Sequence, residues 1–460
     1  MSLSIRSPRS APTIALLLLP MLAGASAPAV AMVTFHVNDT NDLVDDNLAD
    51  GICHTATNTC TLRAAIMQAN HTEDASTIVL PIGNYIVDIP VTGDDGEEEG
   101  DLNLTATDSD APITIVGADA NMTAMNGLLG SRVLHVESGR HAVISGVDLV
   151  GGRALSGNGG AILNEGMLEL DHCLIQSSGA SEGGAIYNGA SLRLDHSVVA
   201  NSGGQGGGIR NVASLQIVDS TLSNNNGPIS GGIWSSDGAT TQASVRVIRS
   251  TIVGNSGDTG GFCCSGDLTL VDSTVAGNFS NSVGGGISFR AEAGRANAAA
   301  LYDTTVVDNS ANVAGAGIAV NGAAFDVVDS LIARNLRADG SQEQDCAGTI
   351  AARGRNLFGS TDGCAISGDA GSSGLLNSLD RLGTLADNGG PTQTIALLAG
   401  SNAIDGGDPA GCTDADGNPL TTDQRGFLRP AGAACDVGAF EYGAVDPDVI
   451  FVDGFDPPAA

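Results

Sequence analysis

A right-handed parallel β-helix with a short N-terminal capping helix is the fold this sequence predicts, and three observations predict it. The first is a repeat. Between Gly157 and Asn335 one theme recurs seven times: glycines and an apolar residue, a variable turn, an alternating apolar run, a polar dipeptide and an Asn. The apolar residue after the glycines falls at Ile162, Ile186, Ile209, Ile233, Phe262, Ile287 and Ile318, at intervals of 24, 23, 24, 29, 25 and 31 residues. The second is a marker in phase with it: Asp171, Asp195, Asp219, Arg249, Asp272, Asp303 and Asp329. Six residues beyond each lies Ser177, Asn201, Asn225, Asn255, Asn278, Asn309 or Asn335. Two markers in phase define a structural period, and a period of this length belongs to a solenoid. The third is alternation: Leu168/Leu170, Leu192/Leu194, Leu215/Ile217, Val245/Val247 and Leu268/Leu270 share one face of a strand at period 2.

One repeat is then one coil. Each strand pairs in parallel with its counterpart a coil away at about 4.8 Å, so a dozen coils make a rod on the order of 60 Å long. Parallel crossovers take a right-handed path. In-phase stacking predicts side-chain ladders from Asn164, Asn188 and Asn211 at one inward turn, and from the Asn201-to-Asn335 series at a second. Cys173 aligns with Ser197, Thr221, Thr251, Thr274 and Thr305, a row of small residues, and reads as a buried, inert thiol.

In chain order, residues 1–31 read as a secretory signal. Arg6 and Arg9 form its charged part, Ala15 to Leu19 its apolar core, and Ala29-Val30-Ala31 a small-residue cleavage pattern. Residues 32–75 form the N-terminal cap: a strand around Val33 to Val37, an acidic loop from Asp39 to Asp50, and the helix TLRAAIMQAN. Thr61 caps that helix, and Leu62, Ala65, Ile66 and Ala69 share a face. Such a cap covers the strand edges and apolar core that an open solenoid end exposes. Residues 76–335 are coils, interrupted by the acidic insertion GDDGEEEGD at 93–101, which reads as a solvated loop or a weak calcium site. Residues 336–443 supply the final coils and a disulfide-containing C-terminal cap, in which Arg425 and Arg429 pair with Asp423, Asp436 and Glu441. Residues 444–460 are a tail.

The cap and the C-terminal region carry a family resemblance. Asp50-Gly51-Ile52-Cys53 followed by Cys60-Thr61-Leu62-Arg63-Ala64-Ala65-Ile66 resembles the CSLREA motif of bacterial exported β-helix proteins, with Thr61 for Ser and Ala64 for Glu. The Gly-Gly-x-Ile repeats resemble those of polymorphic outer-membrane proteins and of right-handed parallel β-helix repeat proteins. NLFGSTDGC (356–364), ADNGGPTQTIALLAGSNAIDGGD (386–408), TDQRGFLRP (422–430) and CDVGAFEY (435–442) resemble a choice-of-anchor region. The resemblance implies a pectin-lyase-like solenoid secreted to, or displayed on, the outer surface of a bacterium.

Composition agrees with that setting. Without residues 1–31 the chain keeps 17 Arg and no Lys against 52 acidic residues, a net charge of −35. Nucleic-acid binding needs a basic patch and is excluded. No later stretch has the apolar length of a membrane helix. The expected state is a monomer. Nine cysteines in an exported chain point to disulfides, with three local pairs outside the repeats: Cys53–Cys60, Cys346–Cys364 and Cys412–Cys435. Cys263 and Cys264 form either a vicinal disulfide or two thiols.

Three places carry candidate chemistry. Asp171, Asp195 and Asp219 stack in consecutive coils with His172 and His196 beside two of them; such a column suits calcium or acid–base catalysis, and the bland alternative is aspartates capping their own turns. The position after the Ile marker gives an outward row: Leu163, Tyr187, Arg210, Trp234, Cys263 and Ser288. Loops around 235–244 and 290–300 frame a groove holding Tyr187, Arg210, Trp234 and Phe262, suited to sugar or peptide, or else they shelter Trp234. Asp414, Asp416 and Asn418 alternate as oxygen ligands for calcium, the one cofactor the sequence offers, or form a disulfide-closed turn. The favoured function is a nonenzymatic exported scaffold that binds a surface glycan or protein in adhesion or envelope interaction. The alternative is a polysaccharide lyase or glycoside hydrolase, with Arg193, Arg210 or Arg246 available as a base. A calcium-stabilised layer protein is a third reading.

Overall fold

The computed structural model describes residues 32–447 apart from 91–95, 106–110, 239, 293, 369–373, 376–380 and 410. The predicted signal, Asp94 and Asp95 of the acidic insertion, and the tail from 448 onward lie outside the described residues. The chain is a parallel β-solenoid, and α1 (Leu62–Asn70) is the single α-helix among the described residues.

Each repeat is one coil built on three strands, and all but the second add a short fourth, such as Asn226–Ser230 or Ser256–Thr259. In the coil that starts at Gly183, Ile186–Asn188 lies on a first face, Ser191–Asp195 on a second and Val198–Ala200 on a third. Pairing to the next coil is parallel and in register: Ile162, Ile186, Ile209, Ile233, Phe262, Ile287 and Ile318 stand over one another. Leu192 and Leu194 point inward and are buried, while Ser191, Arg193 and Asp195 face out. The third face runs to 12 strands. The glycine pair at the start of this coil has two distinct roles. Gly183 adopts a left-handed φ of +64°, and a Cβ on Gly184 would lie 2.4 Å from the carbonyl oxygens of Gly203 and Gly207.

Stacking puts identical polar side chains in contact inside the solenoid. Asn164 Nδ2 donates to Asn188 Oδ1, and Asn188 Nδ2 to Asn211 Oδ1, each at 2.8 Å. A longer ladder runs Asn225, Asn255, Asn278, Asn309, Asn335 and then Asp345, with Nδ2 donating to the next Oδ1 at 2.7–3.0 Å. Each Nδ2 also reaches strand carbonyls, as Asn278 does to Ile252 and Ala276. The buried turn is thereby satisfied without water.

The expected alignment of the first two coils is corrected by one residue. Ser177 and Asn201 sit at a left-handed corner with Asn224, at φ +54°, +52° and +54°. The inward positions are Ser178 and Ser202, and Ser202 N–H donates to Asn225 Oδ1 at 3.0 Å. The aspartate marker slips likewise. Asp171 and Asp195 register with Val218, so His172 and His196 share the left-handed corner of Asp219, Arg249, Asp272, Asp303 and Asp329. Strand pairing is set by the buried Ile and Leu positions, and both the strand end and the corner accept an outward polar residue. Cys173 therefore precedes Ser197, Ser220, Ser250 and Ser273 rather than the threonines, in a ladder from each backbone N–H to the next hydroxyl at 2.9–3.2 Å. Cys173 is a buried free thiol whose pKa burial pushes up to about 12.

The N-terminal cap is deeper than an amphipathic helix. Met32–His36 is the first rung of the second face, paired to Ala75–Leu80. Thr61 caps α1 by accepting from Ala64 N–H at 3.2 Å, and all nine helix residues are buried. The polar side is buried because the acidic loop folds over it. Arg63, 1% exposed, makes a two-bond fork with Asp42 at 2.7 and 2.9 Å and also donates to Gly100 O. Gln68 reaches Asp45 Oδ1 at 2.9 Å. A buried guanidinium needs a carboxylate and carbonyls around it, which the loop and the acidic insertion supply. The insertion is accordingly not merely solvated: Glu97 accepts from Asn70 and Thr105, and Asp101 pairs with Arg132.

The C-terminal region departs most from expectation. Cys346–Arg353 and Cys364–Gly368 extend the second face, joined by the Cys346–Cys364 disulfide. Beyond an antiparallel hairpin, Leu382–Ala386 with Thr394–Leu397, the chain lies along the side of the solenoid. Ile395, Leu397, Ala403, Val437 and Phe440 pack on Ala276, Val307, Leu331 and Ala333, the outward residues of the third face. Gln424 bonds Thr251 and Thr274, and Ala439 N–H donates to Thr305 Oγ1. The Cys53–Cys60 and Cys412–Cys435 disulfides form as expected, and Cys263 is bonded to Cys264.

Two measurements test this interior. Asn278→Ala strands the donors of Asn255 and two carbonyls, so we expect a loss of about 2–4 kcal/mol in urea unfolding. Asn201→Gly, which keeps a left-handed corner outside the ladder, costs under about 0.5 kcal/mol. Asp345 gives a pH test. Burial raises its pKa to about 7 against the hydrogen bonds from Asn335. A raised folded pKa favours the protonated form, so its stabilising contribution is complete below the ordinary 3.8 and lost as pH rises through about 7. Asp345→Asn removes this titration. Relative to wild type it should gain about 3–4 kcal/mol between pH 4 and pH 7.5.

Candidate functional site

The column of Asp171, His172, Asp195, His196 and Asp219 is the constellation that the fold does bring together. It stands at the corner between the second and third faces, in three consecutive coils. His172 and His196 both take left-handed backbone, φ +51° and +44°, which turns their rings outward. The imidazoles lie parallel, 2° apart in tilt, with centroids 4.8 Å apart. His172 Nδ1 is 2.7 Å from Asp171 Oδ1, and His196 Nδ1 is 2.7 Å from Asp195 Oδ1. Asp195 also pairs with Arg193. Asp219 receives a fork from Arg249, at 2.9 and 2.5 Å. A concavity of about 490 Å³ opens beside the histidines, walled by Ala118, Asp119, Ala120 and Asn121.

The same corner changes character along the rod. Asp272 and Asp303 are covered by the C-terminal region and face Arg429, which is itself buried. Arg429 Nη1 lies 2.7 Å from Asp272 and 3.3 Å from Asp303, and Nε is 3.1 Å from Glu441. Burial lifts the Asp272 carboxyl to about 7 and lifts Asp303 well above its usual range, with Arg429 opposing both. Burial works against the charge of Arg429, yet Asp303, Asp272 and Glu441 hold its pKa above the ordinary value. This cluster is sealed in protein and docks the C-terminal region. Arg425 pairs with Asp423, as expected, and stacks on Phe427 and Phe440. No part of this docking was read from the sequence. Its signal was present, because Thr305-Val306-Val307 and Leu331-Ile332-Ala333 have lost the alternation of a half-exposed strand.

The outward row on the first face is in register as expected: Tyr187, Arg210, Trp234 and Cys263. It is not an open groove. Arg210 is 7% exposed, with its Cζ 3.9 Å from the centroid of the Trp234 ring. It donates to the carbonyls of Asn211 and Trp234, to Ser236 Oγ, and to Glu182. Burial lowers its pKa against the opposing pull of Glu182. Phe262 is corrected outright: at 1% exposure it belongs to the inward Ile row and to the core, as its register with Ile233 and Ile287 requires. The two long loops meet instead of framing a gap. Asp237 pairs with Arg295 at 3.5 Å and accepts from Asn297, and Arg295 donates to Gly238 O. Glu292 accepts from Ser265 of the coil between them at 2.7 Å.

Asp414, Asp416 and Asn418 do not converge. Asp414 Oδ1 accepts the backbone N–H groups of Asp416 and Asn418, and its Oδ2 accepts from Asn418 Nδ2. Asp416 turns away to Arg246 at 3.2 Å. The carboxylate thus shapes its own turn. Arg193 and Arg246 stand on the exposed second face, Arg193 donating to Gln216 Oε1 at 2.7 Å.

Fold and site together define a parallel β-solenoid with a lateral C-terminal strap and an exposed histidine–aspartate corner. Among solved structures, a pectate lyase, Pel9A, is similar to this chain: TM-score 0.48 and 14% identity, with 89% of this chain and 97% of that chain covered. No protein-family model matches the chain. No curated protein matches it either.

The chain's single Trp makes the loop closure measurable. Asp237→Ala removes the partner of Arg295 and Asn297. We expect a red shift of Trp234 emission and stronger acrylamide quenching, with the melting temperature within a few degrees of wild type. Unchanged quenching would show that the loops hold without Asp237.

Proposed function

We propose that this chain is an exported, nonenzymatic β-helix that presents its second face to an extended partner at the cell surface, a glycan in the first instance. One observation carries the reading. Over four consecutive coils Glu169, Arg193, Gln216 and Arg246 stand in one outward, half-buried column, flanked on one side by Met167, Ser191, Ser214 and Ser244 and on the other by Asp171, Asp195, Val218 and Ile248. Three charged groups and one amide at about 4.8 Å spacing suit repeated hydrogen bonding to a chain laid along the rod. Two shallow concavities lie along this column and its serine-bearing flank. One, of about 550 Å³, is walled by Arg140, His141, Glu165 and Met167; the other, of about 370 Å³, by Gln216, Arg246, Asp267 and Thr269.

The carboxylates that a lyase or hydrolase would use support the scaffold reading. Asp171, Asp195 and Asp219 are each already engaged by His172, by His196 with Arg193, and by Arg249, the first two at the surface and Asp219 buried. General acid–base work calls for a positioned group facing substrate in a water-excluding site. Export rests on residues 1–31, and surface display on the resemblance of residues 50–66 to the CSLREA motif and of 356–442 to choice-of-anchor sequences.

Immobilised acidic and neutral polysaccharides test the proposal with the full chain. Retention without new reducing ends or unsaturated products is the expected result. The triple change Glu169→Ala, Arg193→Ala, Gln216→Ala should weaken retention at least tenfold while the fold persists. Bond cleavage abolished by Asp195→Ala would replace the scaffold with an enzyme.

A further inference from the structure

We propose that the His172–His196 corner binds a divalent transition ion of the Zn(II) or Cu(II) class through the two imidazoles, with carboxylate support. The proposal is independent of the glycan reading. His172 and His196 occupy one corner position in consecutive coils, so the backbone that carries them is fixed by parallel pairing on both sides. Their rings are already parallel at 4.8 Å and face the same way from the rod.

The protonation pattern is the second observation. Each Nδ1 lies 2.7 Å from a carboxylate, Asp171 or Asp195. An ionised carboxylate only accepts, so Nδ1–H is the donor in each pair and Nε2 is the nitrogen left to meet an ion. A carboxylate on the far nitrogen is how proteins orient a metal-binding histidine and raise its basicity. Both histidines have that backing, whereas His135 uses Nε2 on Glu165.

The third is convergence. Donor atoms of Asp171, His172 and His196 lie within 4.8 Å of one another, and so do those of Asp195, His196 and Asp219. With bonds of about 2.0–2.1 Å, donors on one tetrahedral ion stand about 3.3 Å apart. Rotation of two exposed imidazoles closes that difference without moving a strand. The concavity of about 490 Å³ leaves space for the ion's waters. Two imidazole nitrogens, each backed by a carboxylate, select zinc, copper or nickel over calcium and magnesium, which take oxygen alone. A net charge of −33 raises the local concentration of any cation.

The untagged full chain is titrated with Zn(II) and separately with Cu(II) against a chromophoric competitor, with Ca(II) in parallel. One equivalent of each transition ion should bind, undisplaced by a hundredfold excess of Ca(II). His172→Asn and His196→Asn each weaken binding at least tenfold; Asn tolerates left-handed backbone, so the melting curve stays a fair control. Asp195→Asn, which removes the backing of His196, weakens it about 10–100-fold. The Cu(II) electron spin resonance spectrum should show coupling to two nitrogens in the wild type and to one in each His variant. The idea fails if no ion binds, if Ca(II) competes equally, if the double His variant binds as wild type does, or if the wild-type spectrum lacks nitrogen coupling.

Discussion

Parallel, in-register stacking is the constraint from which the rest of this molecule follows. Once Ile162 stands over Ile186 and Ile186 over Ile209, every other residue inherits an address in the rod. Alternation then decides which side chains are buried. The corner between two strands must hold a left-handed residue, and an inward polar group at a turn meets its own kind above and below. The Asn225-to-Asn335 ladder is the clearest product, since each amide finishes the hydrogen bonding of the coil before it. A fault at one coil is therefore felt at the next, as expected of an array with nearest-neighbour coupling.

The solenoid was legible because its signals are local and periodic. Leu192 and Leu194 at period 2 and the glycine pair before Ile186 define a coil without reference to the rest of the chain. The one-residue slip at Asp171 and Ser177 shows the limit. A polar marker can move between a strand end and the adjoining corner at little cost, whereas the buried Leu cannot, so the apolar row was the safer ruler. The placement of Phe262 follows from the same rule: it belongs to the Ile row, and size alone does not turn a residue outward.

Long-range docking was not legible. Arg429 lies 157 residues from Asp272 in sequence, and nothing local announces their contact. What the sequence did hold was indirect: third-face strands from Thr305 onward that are apolar on both sides, and two basic residues, Arg425 and Arg429, set among Asp423, Asp436 and Glu441. The candidate corner divides along the same line. Where the strap covers it, aspartates serve a buried arginine. Where it is bare, at His172 and His196, side chains remain free to meet solvent and its solutes.

The strap also changes how the rod comes apart. A simple solenoid frays from an end, coil by coil, because each coil touches only its neighbours. Here Gln424, Arg429 and Ala439 bind the flanks of coils from Thr251 to Thr305, and Gly438 reaches Asp329. Those coils and the strap behave as a splinted bundle: none of them peels while the splint holds, and its release exposes several at once. Mechanical and proteolytic resistance would then be concentrated in the C-terminal half, leaving the uncovered coils around His172 and His196 as the compliant stretch of the rod.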